Sequence, residues 1–267
     1  MGLSRTLWLF YRVRLLVLNI LSSVSLHQRS AVALLLILLA SWGFLLWSHA
    51  NMDQPWVRLM MPMQSVWTFE EAFFVWLMWA VMMGAMMLPS AIPMILVHNK
   101  ISARNGTEQD NLYFIAAYLL VWSLFSFAAA SLQWWLQWLG QISHMLVMTN
   151  DSAIAIILIL VGVTQWTSLK DRCLGRCRAP IGFLTTEWRS GSGGAFVMGM
   201  HHGVICVGCC WALMVLLFVF GVMNLVGIGL LTLFVAAEKL IPQGPVLAKL
   251  GGVGLILWGL AFLVAQT

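Results

Sequence analysis

The feature that most constrains this sequence is a series of seven apolar runs, each about long enough to cross a lipid bilayer. A spanning helix needs roughly 20 apolar residues. The runs lie at about 31–49, 69–97, 112–138, 152–169, 195–219, 222–239 and 246–265. Only 9% of the residues are charged, whereas a water-soluble domain has about 25%. We therefore predict an all-α fold: a polytopic bundle of about seven transmembrane helices, forming one domain over residues 31–267.

The distribution of basic residues predicts the orientation of the bundle. If the N-terminus is cytoplasmic, thirteen of the fourteen Lys and Arg residues fall on the inner side, and only Arg58 falls outside. This satisfies the positive-inside rule and places Thr267 outside. Residues 1–30 form a separate N-terminal segment, which we expect to lie on the cytoplasmic surface as a helix, because Arg12 and Arg14 would be costly within the membrane. The net charge of +5 is thus a topology signal, and we expect no nucleic-acid partner.

The fifth run carries sulfur and imidazole groups at helical spacing. Residues four apart share a helix face, about 6 Å from one another. This spacing joins Met198, His202, Cys206, Cys210 and Met214; Cys209 and His201 lie beside them. Soft ligands of this kind favour Cu(I), and polar groups within a membrane are usually functional. Cysteine is also a common small apolar residue, but three within five residues, after a histidine pair, favour a metal site.

A second cysteine pair, Cys173 and Cys177, follows the fourth run at its expected cytoplasmic end. The spacing of four places both sulfurs on one side of a helical turn. Such a pair would accept or release a soft metal ion at the inner face. The alternative is two reduced thiols in a cytoplasmic loop without a function.

The second run contains a methionine row. Met78, Met82 and Met86 share one helix face, and Met83 and Met87 share the adjacent one. Methionine is a common filler of apolar cores. Beside a cysteine-rich helix, however, Met82 and Met86 become candidate weak ligands along a copper path.

The fifth run also contains small residues at Ala195, Gly199 and Gly203, a pattern that allows close helix packing. We expect the second run to be the close neighbour. Its Pro89 and Pro93 predict a kink and backbone carbonyls that need new partners.

The outer segments are rich in soft ligands as well. They hold His49, Met52, Met60, Met61, Met63, His144, Met145, Met148 and Met223. Thioethers there would bind Cu(I) in a compartment where thiols oxidise. Hydrophobic loops that dip into the membrane are an equal explanation. At the inner end of the sixth run, Glu238 and Lys239 read as a boundary pair, with Lys239 extending to the interface.

Several segments resemble a bacterial family of predicted metal-binding integral membrane proteins, a domain of unknown function sometimes labelled copper chaperone. The resemblance covers roughly residues 65–245 and rests on residues 82–89, 169–180, 203–214 and 238–239. It implies metal binding, with copper as the usual metal, and a location in the bacterial inner membrane. It implies neither a direction of transport nor a recipient.

The leading hypothesis is a membrane-embedded Cu(I)-binding protein, not an enzyme, that transports copper or delivers it to a cuproenzyme or to another copper chaperone. Zinc or another soft metal is a weaker alternative. A second class of function is a thiol–disulfide oxidoreductase that uses Cys206 and Cys209 with Cys173 and Cys177. Haem ligation by His201 or His202 is a third, weakened because no other histidine is expected in mid-membrane.

Overall fold

The part of the chain that the structure describes is mainly helical. The computed structural model covers residues 26–62, 64, 66–105, 107, 109–143 and 146–265. These residues form ten helices: α1 (Leu26–Ala50), α2 (Pro55–Arg58), α3 (Phe69–Arg104), α4 (Asp110–Trp138), α5 (Asp151–Thr164), α6 (Ser168–Cys177), α7 (Pro180–Glu187), α8 (Gly191–Phe220), α9 (Leu225–Leu240) and α10 (Gly244–Val264). Within the described ranges the β structure is a single isolated bridge between Ile142 and Met148. The all-α fold class is confirmed.

The expected surface helix lies outside the described residues, apart from residues 26–30, which begin α1. Thr267, Met63, His144 and Met145 also lie outside them. The division of the chain at residue 30, and the single domain beyond it, stay predictions.

Among the described residues, five helices are long and apolar enough to cross a membrane: α1, α3, α4, α8 and α10. The other two expected spans take different forms. Helices α5 and α6 meet that standard only together, as a pair bent by 63°. Helix α9 has 16 residues and is therefore about 24 Å long, less than the roughly 30 Å hydrocarbon core.

The bend between α5 and α6 falls near Thr167, within the run predicted as a span over 152–169. Thr167 has an extended backbone, and its hydroxyl accepts a hydrogen bond from the Lys170 amide at 3.3 Å. This is an N-cap, which ends one helix and begins another. Helix α6 consequently turns aside from α5 and packs along α8.

Helix α4, not α3, is the close neighbour of α8, so that prediction is wrong. A Cβ atom on Gly199 would collide with the Phe114 carbonyl oxygen, and one on Gly203 would lie 2.8 Å from the Val121 side chain. The small residues therefore let the α4 and α8 backbones meet. Helix α3 instead meets α8 through large side chains, including Trp79, whose ring lies 5.3 Å from that of Phe218.

Helix α3 continues through both of its prolines. One of the backbone carbonyls that a proline leaves without a helical hydrogen bond finds a donor on a neighbouring helix. Pro89 has no N–H to donate to the carbonyl of Ala85, four residues earlier. The indole N–H of Trp42 donates to that carbonyl instead, at 3.2 Å. The expectation that the freed carbonyl needs a new partner is thus met by α1.

Candidate metal centre

The two cysteine motifs form one cluster. Helix α6 lies against α8 where α8 has a glycine: a Cβ atom on Gly208 would be 2.9 Å from the sulfur of Cys173. This approach brings the sulfur of Cys177 to 3.9 Å from that of Cys209. The expectation of a pair separate from the α8 cysteines is therefore corrected: α6 follows a 63° bend and places the pair beside Gly208 and Cys209. Its location at the cytoplasmic mouth stays a prediction.

The three cysteines of α8 are shielded from solvent. Cys206, Cys209 and Cys210 are each at most 3% exposed. The Cys209 thiol donates to the Cys206 carbonyl at 3.1 Å, and the Cys210 thiol donates to the same oxygen at 2.8 Å. Both thiols thus bond to the carbonyl of Cys206, one turn back on α8. The cysteines of α8 share one helix face, as their spacing predicts, and Cys177 of α6 lies beside Cys209.

A buried lysine completes the cluster. The ammonium nitrogen of Lys239, on α9, lies 3.0 Å from the sulfur of Cys206 and 3.1 Å from the hydroxyl of Ser90. Lys239 is 6% exposed, so the expectation that it extends to the membrane interface is wrong. The residue before Lys239 is buried as well, so the end of α9 faces the interior of the protein.

That neighbour is Glu238, which is 1% exposed and pairs with Lys170 of α6 at 2.8 Å. The guanidinium of Arg178 donates to the Glu238 carbonyl at 2.5 Å and to the Pro242 carbonyl at 2.9 Å. These contacts fix the ends of α6 and α9 to each other. They hold Lys239 from α9 and Cys177 from α6 on the same side of α8.

Two further side chains contact the sulfurs. The hydroxyl of Tyr118, on α4, lies 3.1 Å from the sulfur of Cys206 and also donates to the Met87 carbonyl at 3.2 Å. The thioether sulfur of Met87 lies 3.7 Å from that of Cys210. Thus α3, α4, α6, α8 and α9 all contribute to the centre.

The two histidines have different surroundings. His202 is 2% exposed, one turn from Cys206, and its ring stacks against Tyr118 with centroids 5.5 Å apart. Its Nδ1 atom has no hydrogen-bond partner. His201 instead pairs with Glu187 at 3.4 Å, and its side chain is 37% exposed. His201 therefore faces away from the sulfurs, and its prediction as a ligand is not supported by its position.

The predicted methionine ligands are all buried. Met198 and Met214 on α8, and Met82 and Met86 on α3, are at most 2% exposed and belong to one core cluster with the cysteines. Met87, named in the adjacent row, is the methionine that contacts a thiol. The other four lie along the core and outside the cysteine cluster, so they are candidates for weak ligands on a copper path.

Sequence reasoning missed Tyr118 altogether and misread Lys239. A tyrosine in an apolar run carries no distinctive signal, since its hydroxyl finds partners in many ways. Lys239 did carry a signal, because a lysine next to a glutamate at a helix end is typical either of a membrane boundary or of a buried charged group. The resemblance to the family included Glu238 and Lys239, and this was the available indication.

The arrangement does not form a standard multidentate cage. Within the described ranges, no three or more His, Cys, Asp or Glu side chains are placed to hold a metal ion. Two sulfurs at 3.9 Å are nevertheless well spaced for a shared ion. Two metal–sulfur bonds of about 2.3 Å at a trigonal angle place their sulfurs about 4.0 Å apart.

The comparisons with known proteins place the chain in one family. No curated protein and no solved structure matches this chain. One family model does match, over residues 76–262, and its description is copper chaperone. That range includes all five cysteines, Lys239 and the methionine row. The chain belongs to this family, PpoB2, described as copper chaperone.

Proposed function

We propose that this protein binds Cu(I) between α6 and α8 and either carries it through the membrane or delivers it to a cuproenzyme. The observation that carries the proposal is the 3.9 Å separation of the Cys177 and Cys209 sulfurs, which come from different helices. Thiolates select Cu(I) among common metals, and two or three are enough for its linear or trigonal coordination. The small number of ligands therefore agrees with a monovalent ion better than with a tetrahedral zinc site.

Charge balance supports a monovalent ion. Cu(I) held by two thiolates has a net charge of −1, which is costly to bury without a partner. The ammonium of Lys239, at 3.0 Å from Cys206, supplies one positive charge. Lys170 and Glu238 neutralise each other. A two-thiolate Cu(I) centre beside Lys239 is neutral, whereas the same centre with Zn²⁺ carries an extra positive charge.

The surface supports a membrane location. Large apolar side chains point outward along several helices, including Leu39, Leu124, Phe127, Leu160, Leu233 and Leu257. A soluble protein rarely exposes so much continuous apolar surface. We infer a bacterial inner-membrane protein with seven spans, in which the bent pair α5–α6 and the short α9 supply two. The N-terminus is then cytoplasmic and the C-terminus outside, which reporter fusions at the two ends would test.

The direct test is metal analysis of anaerobically purified protein. Loading with Cu(I) is expected to give one tightly bound ion in the wild-type chain and none in C177S/C206S/C209S. The M94L variant, altered at a buried methionine seven residues beyond Met87 on α3, serves as the control and should bind normally. Unchanged copper stoichiometry in the triple variant would defeat the proposal.

A second candidate is thiol–disulfide exchange, which the closeness of Cys177 and Cys209 also favours. The relevant pair would join α6 to α8, in place of the pair within α8 that the C-x-x-C spacing suggests. Trapping with a single-cysteine variant separates the two functions. A mixed disulfide between C209S and a protein substrate would favour redox exchange, and its absence together with copper binding would favour the metal function.

A further inference from the structure

An outer cavity lies at the opposite end of α8 from the Gly191 end. Its volume is about 740 Å³, and its lining includes His49, Met52, Met61 and Met223. These four come from the end of α1, the segment after it and the turn after α8. Met223 is buried, Met52 and Met61 are half-buried, and His49 is exposed at the rim. The chain thus brings an imidazole and three thioethers from separate segments to one concave surface.

Two carboxylates also line this cavity. Asp53 lies 3.5 Å from Arg58 with its side chain fully exposed to solvent, and one oxygen of Glu71 accepts hydrogen bonds from the backbone and hydroxyl of Thr68. The thioethers of Met52, Met61 and Met223 make none of these polar contacts. Thioethers and imidazole suit a soft ion, whereas Ca²⁺ or Mg²⁺ would need free oxygen ligands.

A buried sulfur column, which includes Met83 and Met214, lies between the level of the cavity and the cysteines. Trp79 packs on Phe218, and Met87 contacts Cys210. From the first contact to the second, the residue number rises by eight on α3 and falls by eight on α8. The two helices therefore run antiparallel, and positions midway between the contacts lie opposite each other. Met83 and Met214 therefore lie at the same level, halfway between the two contacts. Both are at most 1% exposed and belong to the same core cluster as Cys206.

The dimensions are compatible with passage by short steps. Phe220 lines the cavity and lies ten residues beyond Cys210, so about 15 Å of helix separates the two levels. Met214 and the α3 methionines occupy that interval, with about 6 Å between successive levels of the i, i+4 row. Thioethers bind Cu(I) more weakly than thiolates do, so an ion would move toward the cysteines.

We propose that the outer cavity is a second soft-metal site, formed by His49, Met52, Met61 and Met223, that receives Cu(I) before it reaches the cysteines. This inference rests on the proposed copper function and adds an outer entrance to it. Thioethers suit an outer position because thiols there would oxidise. The buried cysteines lie at the far end of the sulfur column, where the ion is held tightly.

The test is a calorimetric titration of the full chain with Ag(I), a soft monovalent ion that does not change its oxidation state. The wild-type chain is expected to show a tight phase from the cysteines and a weaker phase from the cavity. M52L/M61L/M223L should lose the weaker phase and keep the tight one, which also reports a correct fold. The M94L control should keep both phases.

The same titration separates this inference from the copper function itself. C177S/C206S/C209S should lose the tight phase and keep the weaker one. If this variant instead keeps the tight phase, the cysteine site is contradicted and the outer site is not. A weaker phase that survives in M52L/M61L/M223L overturns the outer site. If the triple variant fails to fold, the single variants M52L and M61L decide: at least tenfold weaker binding supports the site, and unchanged binding in both overturns it.

Discussion

The ammonium nitrogen of Lys239 lies 3.0 Å from the sulfur of Cys206, within a centre where both residues are almost completely buried. A buried charge needs a partner of opposite sign. In the loaded protein the partner would be the thiolate-bound copper, which is negative overall. The attraction between Lys239 and the loaded centre would therefore also hold α9 in place.

Replacing Lys239 by methionine should weaken Cu(I) binding at least tenfold, or about 1.4 kcal/mol. The variant keeps the length of the side chain but leaves the negative centre without a counter-charge. The measurement is competition against a Cu(I) chelator of known affinity. K249M is the matched control, since Lys249 is a half-exposed lysine paired with Asp171 at 3.8 Å. Equal affinities in K239M and wild type would contradict the charge-balance argument.

The C177S and C173S variants should differ, although both change a cysteine of α6. Cys177 approaches Cys209, whereas the sulfur of Cys173 packs against the backbone at Gly208. We expect C177S to weaken Cu(I) binding more than tenfold and C173S to weaken it less than threefold. The same chelator competition measures both. A larger loss in C173S than in C177S would show that the wrong sulfur has been assigned.

The ion pair between Lys170 and Glu238 should matter for stability more than its surface counterpart. Removing one partner of a buried pair costs about 3–5 kcal/mol, whereas an exposed pair contributes about 0–1 kcal/mol. We therefore expect K170M to lower the unfolding temperature in detergent by several degrees, and D171N, which breaks the exposed pair with Lys249, to leave it nearly unchanged. Similar effects of the two substitutions would indicate that Glu238 is hydrated.

A Gly199→Ala substitution should destabilise the packing of α8 on α4. The added methyl group would meet the Phe114 carbonyl, and overpacking of this kind costs about 1–3 kcal/mol. Gly254→Ala is the control, because nothing lies within 4 Å of the added carbon there. That change should be neutral or slightly stabilising, since alanine is the better helix former. Thermal unfolding of both variants in detergent tests the prediction; equal unfolding temperatures would count against the close contact.

The sequence predicted those parts of the molecule that depend on local pattern. Apolar runs predicted the helices, because a stretch of about 20 apolar residues has few other stable forms in a membrane. The spacing of Cys206, Cys209 and Cys210 predicted their common face, since helical geometry alone decides it. The family resemblance added the metal class.

Other parts depend on how separate helices meet, and the sequence did not predict them. The approach of Cys177 to Cys209 follows a 63° bend within an apolar run, at a point where Thr167 caps the start of α6. The choice of α4 as the close neighbour of α8 depends on large α3 side chains such as Trp79, which keep the α3 backbone away. Lys239 was misread because a terminal lysine usually extends to the interface.

The central claim is that sulfur atoms from α6 and α8 hold one Cu(I) ion, and X-ray absorption spectroscopy of the copper-loaded protein tests it most directly. The account predicts a first shell of two or three sulfur atoms at about 2.3 Å, which loses one sulfur in C177S. A first shell of nitrogen or oxygen atoms, or one that is unchanged in C177S, would contradict it.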